Sequence, residues 1–314
     1  MLKIGLDVMG GDEFPAPQIA GALAARPLLD PDVVTVLIGD RTLIENEFRR
    51  LGVNPNGFEI VHASDYITMS DHPTQAFLRK PDSTIGAGIR EIKAGTLDAF
   101  VSAGNTGAML AASVIGLGVL EGLLRPTVGA LYPLENRYSL LCDVGANVDC
   151  KPEHLAQFGL LGSVFVETVL GYERPRVALL NVGEEKTKGN HVVRQAYELM
   201  SQDPKINFVG NAEGHDMVRG VADVYVCDGF VGNILLKFGE SFYPFLKSRL
   251  PHDAAVESFN FEAVGGLPIL GVNGYMIVGH GRSGPEAYKN MLLRAQAAVR
   301  SGLSGKIAAA IRPA

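Results

Sequence analysis

The feature that most narrows what this chain can fold into is an alternation of short apolar runs with helical patterns. The runs are Lys3–Val8, Val33–Ile38, Glu59–His62, Ala99–Ser102, Val128–Tyr132, Leu140–Asp143, Arg176–Val182, Ile206–Val209, Val224–Cys227 and Tyr275–Val278. Between many of them, apolar residues recur at helical spacing: Arg41–Leu51, Asp82–Ala94, Thr106–Leu120, Glu153–Leu170, Val192–Ser201 and Pro285–Arg300. Several runs are apolar nearly end to end, as in strands covered on both faces. The pattern predicts an α/β fold with a mainly parallel sheet. There is no internal repeat, no low-complexity linker and no compositional boundary, so residues 1–314 are expected to form a single α/β domain. The segment Tyr132-Pro133-Leu134-Glu135-Asn136-Arg137-Tyr138 reads as a hairpin connection, which would give the sheet an antiparallel part.

One region departs from the alternation. Ile234, Leu235, Phe238, Phe242, Phe245 and Leu246 share a helical pattern that breaks at Leu250-Pro251, and a short second pattern spans Asp253 to Phe261. Pro244 should kink or end the first helix, because it lacks an N–H and its ring crowds the preceding turn. Residues 234–263 are therefore expected to be a helical hairpin projecting from the sheet domain. Its aromatic content points to burial against a second subunit.

Charge and cysteine content exclude some functions. A net charge of −6 argues against broad nucleic-acid binding, although one anion could still occupy a small basic pocket. Cys142, Cys150 and Cys227 are an odd set with no CxxC, which fits a reducing cytosol better than a disulfide framework or a zinc site. Met1-Leu2-Lys3-Ile4-Gly5-Leu6-Asp7 reads as a core strand and not as a signal peptide. Gly107–Leu120, the longest uncharged apolar stretch, falls short of the roughly 20 residues a bilayer span needs.

Candidate chemistry lies where strands hand over to helices. Polar, glycine-rich segments occur at 7–12, 102–107, 143–147, 181–190, 228–233 and 279–283. Glycine permits close backbone approach to a ligand, and a following helix offers N–H groups to an anion. Segments 102–107 and 279–283 have this form, although glycine turns also serve simply as connectors. No Walker loop, dinucleotide fingerprint or HExxH is present, and the histidines lack ligand spacing. His280 reads either as an anion contact or acid–base group, or as a turn histidine bonded to backbone. Lys188, just after Glu184-Glu185 and at a helix start, is electrostatically misplaced unless an anion is near. The alternative is an ion pair with either glutamate. Cys142 and Cys227 end strands and read as core packing more than as acyl-accepting nucleophiles.

In order, the motifs DVMGGD (7–12), SAGNTGA (102–108), DVGAN (143–147), NVGEExxKGN (181–190), DGFVGN (228–233) and GHGRS (279–283) resemble the PlsX family of phosphate acyltransferases. The resemblance spans almost the whole chain. It implies a three-layer αβα sandwich like isocitrate and isopropylmalate dehydrogenases and phosphotransacetylase. It also implies a cytoplasmic homodimer that needs no metal, nucleotide or other cofactor. The reaction it implies is transfer of a fatty acyl group from acyl carrier protein to inorganic phosphate. The acyl phosphate would then feed a membrane glycerol 3-phosphate acyltransferase in phospholipid synthesis. By motif, the family's implicated lysine and asparagine fall on Lys188 and Asn233, with His280 as a third catalytic candidate. Gly104, Asn105, Thr106, Gly107, Asp143, Asn147, Lys186, Gly232, Arg282 and Ser283 are the candidates for holding phosphate and substrate. The family's hairpin is longer, with an apolar tip tied to membrane association. The stretch here is short and carries a polar Pro251-His252-Asp253 turn, which leaves peripheral membrane contact open. A phosphotransacetylase-like acyl-CoA enzyme, an isopropylmalate-type dehydrogenase and a silent scaffold are the competing assignments.

Overall fold

The computed structural model describes residues 1–134 and 137–312. Its strands are β1 (Leu2–Asp7), β2 (Val33–Gly39), β3 (Phe58–His62), β4 (Ala99–Ser102), β5 (Thr127–Pro133), β6 (Tyr138–Cys142), β7 (Arg176–Leu180), β8 (Asn207–Ala212), β9 (Val224–Val226), β10 (Leu267–Leu270) and β11 (Tyr275–Val278). The helices are α1 (Ala16–Ala25), α2 (Arg41–Leu51), α3 (Pro73–Arg79), α4 (Thr84–Lys93), α5 (Thr106–Ala112), α6 (Pro152–Leu170), α7 (His191–Gln202), α8 (Asp216–Arg219), α9 (Gly229–Lys247), α10 (Ala254–Ser258), α11 (Phe261–Val264), α12 (Pro285–Arg300) and α13 (Leu303–Ile311). Side-chain oxygens of Asp40, Ser83, Asn105, Asn190, Asp228 and Asp253 cap helix N-termini by accepting first-turn N–H groups.

Where composition marks no boundary, the chain forms two compact units: Met1–Gly118 with Phe261–Arg300, and Val119–Asn260 with Ser301–Ala314. Because the first unit is interrupted and later resumed, no linker marks the division.

In the first unit the strand order is β3-β2-β1-β4-β11-β10, parallel except for β10 against β11. Ile4, Leu6, Val101 and Ile277 pack with α1 and α12 residues including Ile19, Tyr288 and Met291. Phe100 points to the other face, where its ring lies against Gly88 of α4. Helices thus cover both faces of the sheet, which accounts for strands that are apolar throughout.

In the second unit the order is β5-β6-β9-β7-β8, with β5 antiparallel and the rest parallel. The expected hairpin joins β5 to β6, and Leu134 N–H donates to Arg137 O at 2.7 Å. Glu135 and Asn136 of that expectation lie outside the described residues. Leu140, Cys142 and Val224 face α6 at its Gly162. Tyr132, one residue beyond the partner of Leu140, faces the opposite side and donates its hydroxyl to Leu235 O of α9 at 2.7 Å.

Three expectations change. Pro244 neither ends α9 nor prevents its run to Lys247, because the loss of one main-chain bond near an exposed helix end is tolerated. The helix also starts at Gly229, not near 234, and α10 folds back on it through a Lys247–Glu257 ion pair and a bond from the Tyr243 hydroxyl to Glu257 at 3.2 Å. The pattern read over Thr106–Leu120 divides into α5 and a π-helical turn at Ser113–Leu117.

Candidate active-site loops

In the first unit, β1 and β4 are parallel neighbours at which the strand order reverses: the chain runs from β1 outward through β2 to β3, then returns to place β4 on the other side of β1. Such a switch in strand order opens a crevice at the carboxyl ends of the strands. The loops after β1, β4 and β11 meet there. Asp7 is buried; its Oδ1 accepts the Met9 N–H at 3.0 Å, and its Oδ2 accepts the Ser102 hydroxyl at 2.7 Å. Burial pushes its carboxyl above the usual range, against the opposing pull of these bonds. Ser102 Oγ in turn accepts the Gly104 N–H at 3.0 Å. Gly10 closes the knot. A side chain there would bring a Cβ within 2.6 Å of Asp7 Oδ2 and 2.9 Å of Gly104 N, so only glycine fits.

Asn105 is a framework residue. Its Oδ1 caps α5 at Ala108 N (3.0 Å), and its amide donates to the carbonyls of Thr68, Met69 and Asp71 at 3.2, 3.4 and 3.2 Å. With Gly104 N–H and Ala108 N–H both engaged, Thr106 and Gly107 supply the open donors of this turn, and Thr106 is exposed. The loop after β11 lies beside the loop after β1, with Asp12 N–H donating to Gly281 O at 2.7 Å. His280 accepts the Arg282 N–H at Nδ1 (3.1 Å), which ties its ring to the turn that presents Arg282. Ser283 is buried and donates its N–H to His280 O at 2.9 Å. The Arg282 side chain is exposed and has no ion pair among the described residues.

In the second unit, the loops after β6, β7 and β9 carry the remaining candidates. Asp143 is fully buried and accepts N–H groups from Val128 (3.2 Å), Ala146 (3.2 Å) and Asn147 (2.5 Å), plus the Asn147 side-chain amide (2.9 Å). Burial raises its pKa despite these donors. Asn147 also donates to Pro126 O at 2.8 Å, and its own carbonyl accepts the Gly229 N–H at 2.7 Å. Asp143 and Asn147, expected as substrate ligands, spend their polar atoms shaping the 143–147 turn and tying it to α9. Gly232 allows that contact: a Cβ there would stand 1.8 Å from the Asp143 carbonyl oxygen. Asn233, the next residue, is exposed at the start of α9, and its side chain lies over Gly145.

The two lysines after β7 part ways. Lys186 pairs with Glu198 at 2.9 Å and lies over the Tyr197 ring, 5.7 Å from its centroid. It borders a groove of about 460 Å³ along α7 that is also lined by Thr187, His191, Arg194, Gln195 and Glu198. Its ammonium thus has a carboxylate partner at the surface. Lys188 precedes the Asn190 cap and does not open the helix as the spacing predicted. It is exposed and pairs with neither Glu184 nor Glu185 nor any other carboxylate among the described residues. Its stem folds over Gly183, whose missing Cβ would lie 3.1 Å from Lys188 Cγ. Asn181 fixes the loop by donating to Lys188 O at 3.1 Å.

The cysteine thiols are poorly placed for nucleophilic work. Burial pushes Cys142 and Cys227 well up, and Cys150, half-buried, is pushed up to about 12. Among the described residues, no group of three or more His, Cys, Asp or Glu side chains could hold a metal ion, and no helix is long and apolar enough to cross a membrane.

Residues 2–306 match the family model described as "Fatty acid synthesis protein". Full-length relatives are close. The phosphate acyltransferase of Dictyoglomus turgidum is 38% identical over 98% of this chain and 96% of its own. That of Syntrophomonas wolfei is 42% identical over 93% and 92%, and that of Chlorobaculum parvum 40% identical over 98% of each. Among solved structures, a phosphotransacetylase from Streptococcus pyogenes superposes with a TM-score of 0.68 over 95% of this chain and 94% of its own, at 19% identity. A 4-hydroxythreonine-4-phosphate dehydrogenase from Burkholderia phymatum does so with a TM-score of 0.52 over 98% of each chain, at 13% identity. These structural likenesses establish the type of α/β fold.

Proposed function

The chain belongs to the PlsX family of phosphate acyltransferases, the fatty acid synthesis protein family, and on that premise we propose that it moves a fatty acyl group from acyl carrier protein directly onto inorganic phosphate. The observation that carries phosphate as the acceptor is the pairing state of the loop cations. Lys188 and Arg282 have no carboxylate partner among the described residues, whereas Lys186 is neutralised by Glu198. A cation left unpaired on a structured glycine-rich loop is available to a dianion.

A phosphate oxygen attacks the thioester carbonyl carbon and forms the new C–O bond. The carbonyl electrons move to oxygen, then return as the C–S bond breaks and the carrier thiolate departs. A thiol of pKa roughly 8.5 leaves without a strong general acid and takes its proton from solvent. Positioning and charge stabilisation therefore supply most of the rate. In this scheme Arg282 and the N–H groups of Thr106 and Gly107 bind phosphate on the first unit, and Lys188 is the candidate cation of the second unit's loops. By motif, Asn233 and His280 are the further candidates, each for the carbonyl oxygen or for orienting phosphate. Gly104, Asn105, Asp143, Asn147, Gly232 and Ser283 hold these groups in place.

The test is incubation with an acyl carrier thioester and phosphate, followed by hydroxylamine trapping of acyl phosphate. Lys188→Ala in a folded protein should lower turnover by roughly 100-fold or more; near-normal turnover removes Lys188 from this role. Equal turnover of a CoA thioester would instead favour phosphotransacetylase-type chemistry. The product, an acyl phosphate, suits an acyltransferase of phospholipid synthesis as its consumer.

The enzyme is proposed to be a homodimer joined through α9. Phe230, Ile234, Phe238, Phe242 and Phe245 form an apolar stripe that is 59%, 52%, 61%, 36% and 54% exposed, more than the apolar face of a packed helix leaves to water.

A further inference from the structure

We infer that Gln18 and Tyr288 are positioning residues for phosphate binding, acting through one main-chain carbonyl, that of Gly10. The segment 7–12 stands out in the sequence, yet none of its residues has a role in the scheme above. Its place in the first unit supplies one. Gly10 packs on Asp7, Ser102 and Gly104 too tightly for any side chain, and two residues later Asp12 N–H donates to Gly281 O at 2.7 Å. The loop after β1 is thus a wedge whose two ends touch the loop that presents Thr106 and Gly107 and the loop that presents His280 and Arg282.

Two fully buried side chains from distant helices hold that wedge. Gln18 of α1 donates from Nε2 to Gly10 O at 2.6 Å and to Glu13 O at 2.9 Å. Tyr288 of α12 donates its hydroxyl to the same Gly10 oxygen at 2.9 Å and lies 2.9 Å from Gln18 Nε2. Carbonyls cannot donate, so the Gln18 amide must turn its NH2 group toward them. Its Oε1 is left with no partner among the described residues. A glutamine kept in the core with one amide atom unsatisfied is costly as packing, so its retained function is to hold the Gly10 and Glu13 carbonyls. With both donors on one oxygen, the peptide after Gly10 cannot rotate, and the spacing between the two flanking loops is set.

This inference rests on the reading that those loops bind phosphate. Tyr288→Phe removes one hydroxyl and leaves the ring in the core, and Gln18→Met removes the amide at similar volume. Each variant should raise the KM for phosphate about tenfold, the scale of one or two lost hydrogen bonds, while the KM for the acyl carrier thioester stays near the parental value and the melting temperature falls by no more than about 4 °C. Because both act on one carbonyl, the double variant should be less impaired than the product of the single effects. An unchanged phosphate KM in both variants, equal rises in both KM values, or activity loss that simply tracks a lowered melting temperature would overturn the clamp. Arg282→Ala, measured alongside, separates the two claims. If it raises the phosphate KM and the clamp variants do not, only the clamp fails. If none of the three does, the phosphate assignment fails with it.

Discussion

Replacing Gly232 with alanine sets two calculable effects against each other. Gly232 is the fourth residue of α9, and helix propensity alone favours alanine there by about 1 kcal/mol. The contact geometry opposes it. The new Cβ would lie 1.8 Å from the Asp143 carbonyl oxygen and 3.1 Å from Cys227 Sγ, and Cβ contacts below 3.0 Å essentially never occur. The first turn of α9 must therefore recede by about 1.2 Å, the difference between 3.0 and 1.8 Å. Asp143 cannot yield instead, because its carboxylate is held by Val128, Ala146 and Asn147. Overpacking of this kind costs about 1–3 kcal/mol, so the net effect is destabilisation by roughly 1 kcal/mol. Asn233 moves with the turn, and a misplacement of about 1 Å in a reacting constellation can cost 100-fold in rate. Thermal melting and hydroxamate trapping read both effects on one sample. A variant that melts at or above the parent and turns over within about threefold of it would refute the premise that α9 is pinned to the Asp143 carbonyl.

Other expectations are as direct. Burial works against the charge of Asp223, but hydrogen bonds from Arg176, with Arg137 nearby at 3.1 Å, outweigh it and hold the carboxyl below its usual range. The stabilisation from a depressed folded pKa is present above the unfolded value of about 4 and is lost as pH falls through the folded one. Asp223→Asn should thus lower unfolding free energy by about 1.5 kcal/mol at pH 7, with a deficit that closes in acid; a deficit constant down to pH 3 contradicts this pairing. Cys142 and Cys227 should resist iodoacetamide at pH 8 in the folded enzyme. An acyl adduct trapped on either would rule out direct transfer to phosphate. Phe238→Asp should shift the molar mass by light scattering from dimer to monomer; a parent that is already monomeric removes the α9 interface. Sedimentation with liposomes decides whether Arg249–Ala255 also touches membrane, since binding there should vanish when that turn is trimmed.

The elements that the sequence revealed most sharply are strands buried on both faces and helices with one clearly apolar face. β4 and β11 occupy the read boundaries, as do α2 and α12. β10 escaped because Pro268 interrupts a four-residue run just after Gly265-Gly266. α1 escaped because Pro15 and Pro17 flank its first residue and five of its ten residues are alanine, so little contrast separates its faces. Site chemistry was legible as motif positions and not as roles. Neighbouring Lys186 and Lys188 look alike in sequence, and only the fold, by placing Glu198 against one of them, leaves the other available. Asn105, Asp143 and Asn147 resemble ligands because framework residues of a tight turn need the same polar groups. The Gln18–Tyr288 contact joins residues 270 positions apart, beyond any local pattern.

The interruption of the first unit bears on how the protein is made. β4 is complete at Ser102, but its partner β11 begins only at Tyr275. At synthesis rates of about 5–20 residues per second, one side of β4 waits roughly 10–30 seconds for its neighbour. During that interval the nascent chain carries an open strand edge and no α12 to cover the Ile4 and Val101 face. The second unit's β5 to β9 emerge within the same interval and can fold first. A ribosome that stalls before Tyr275 would therefore release a polypeptide with one half lacking only α13 and one adhesive half, a natural client for chaperones.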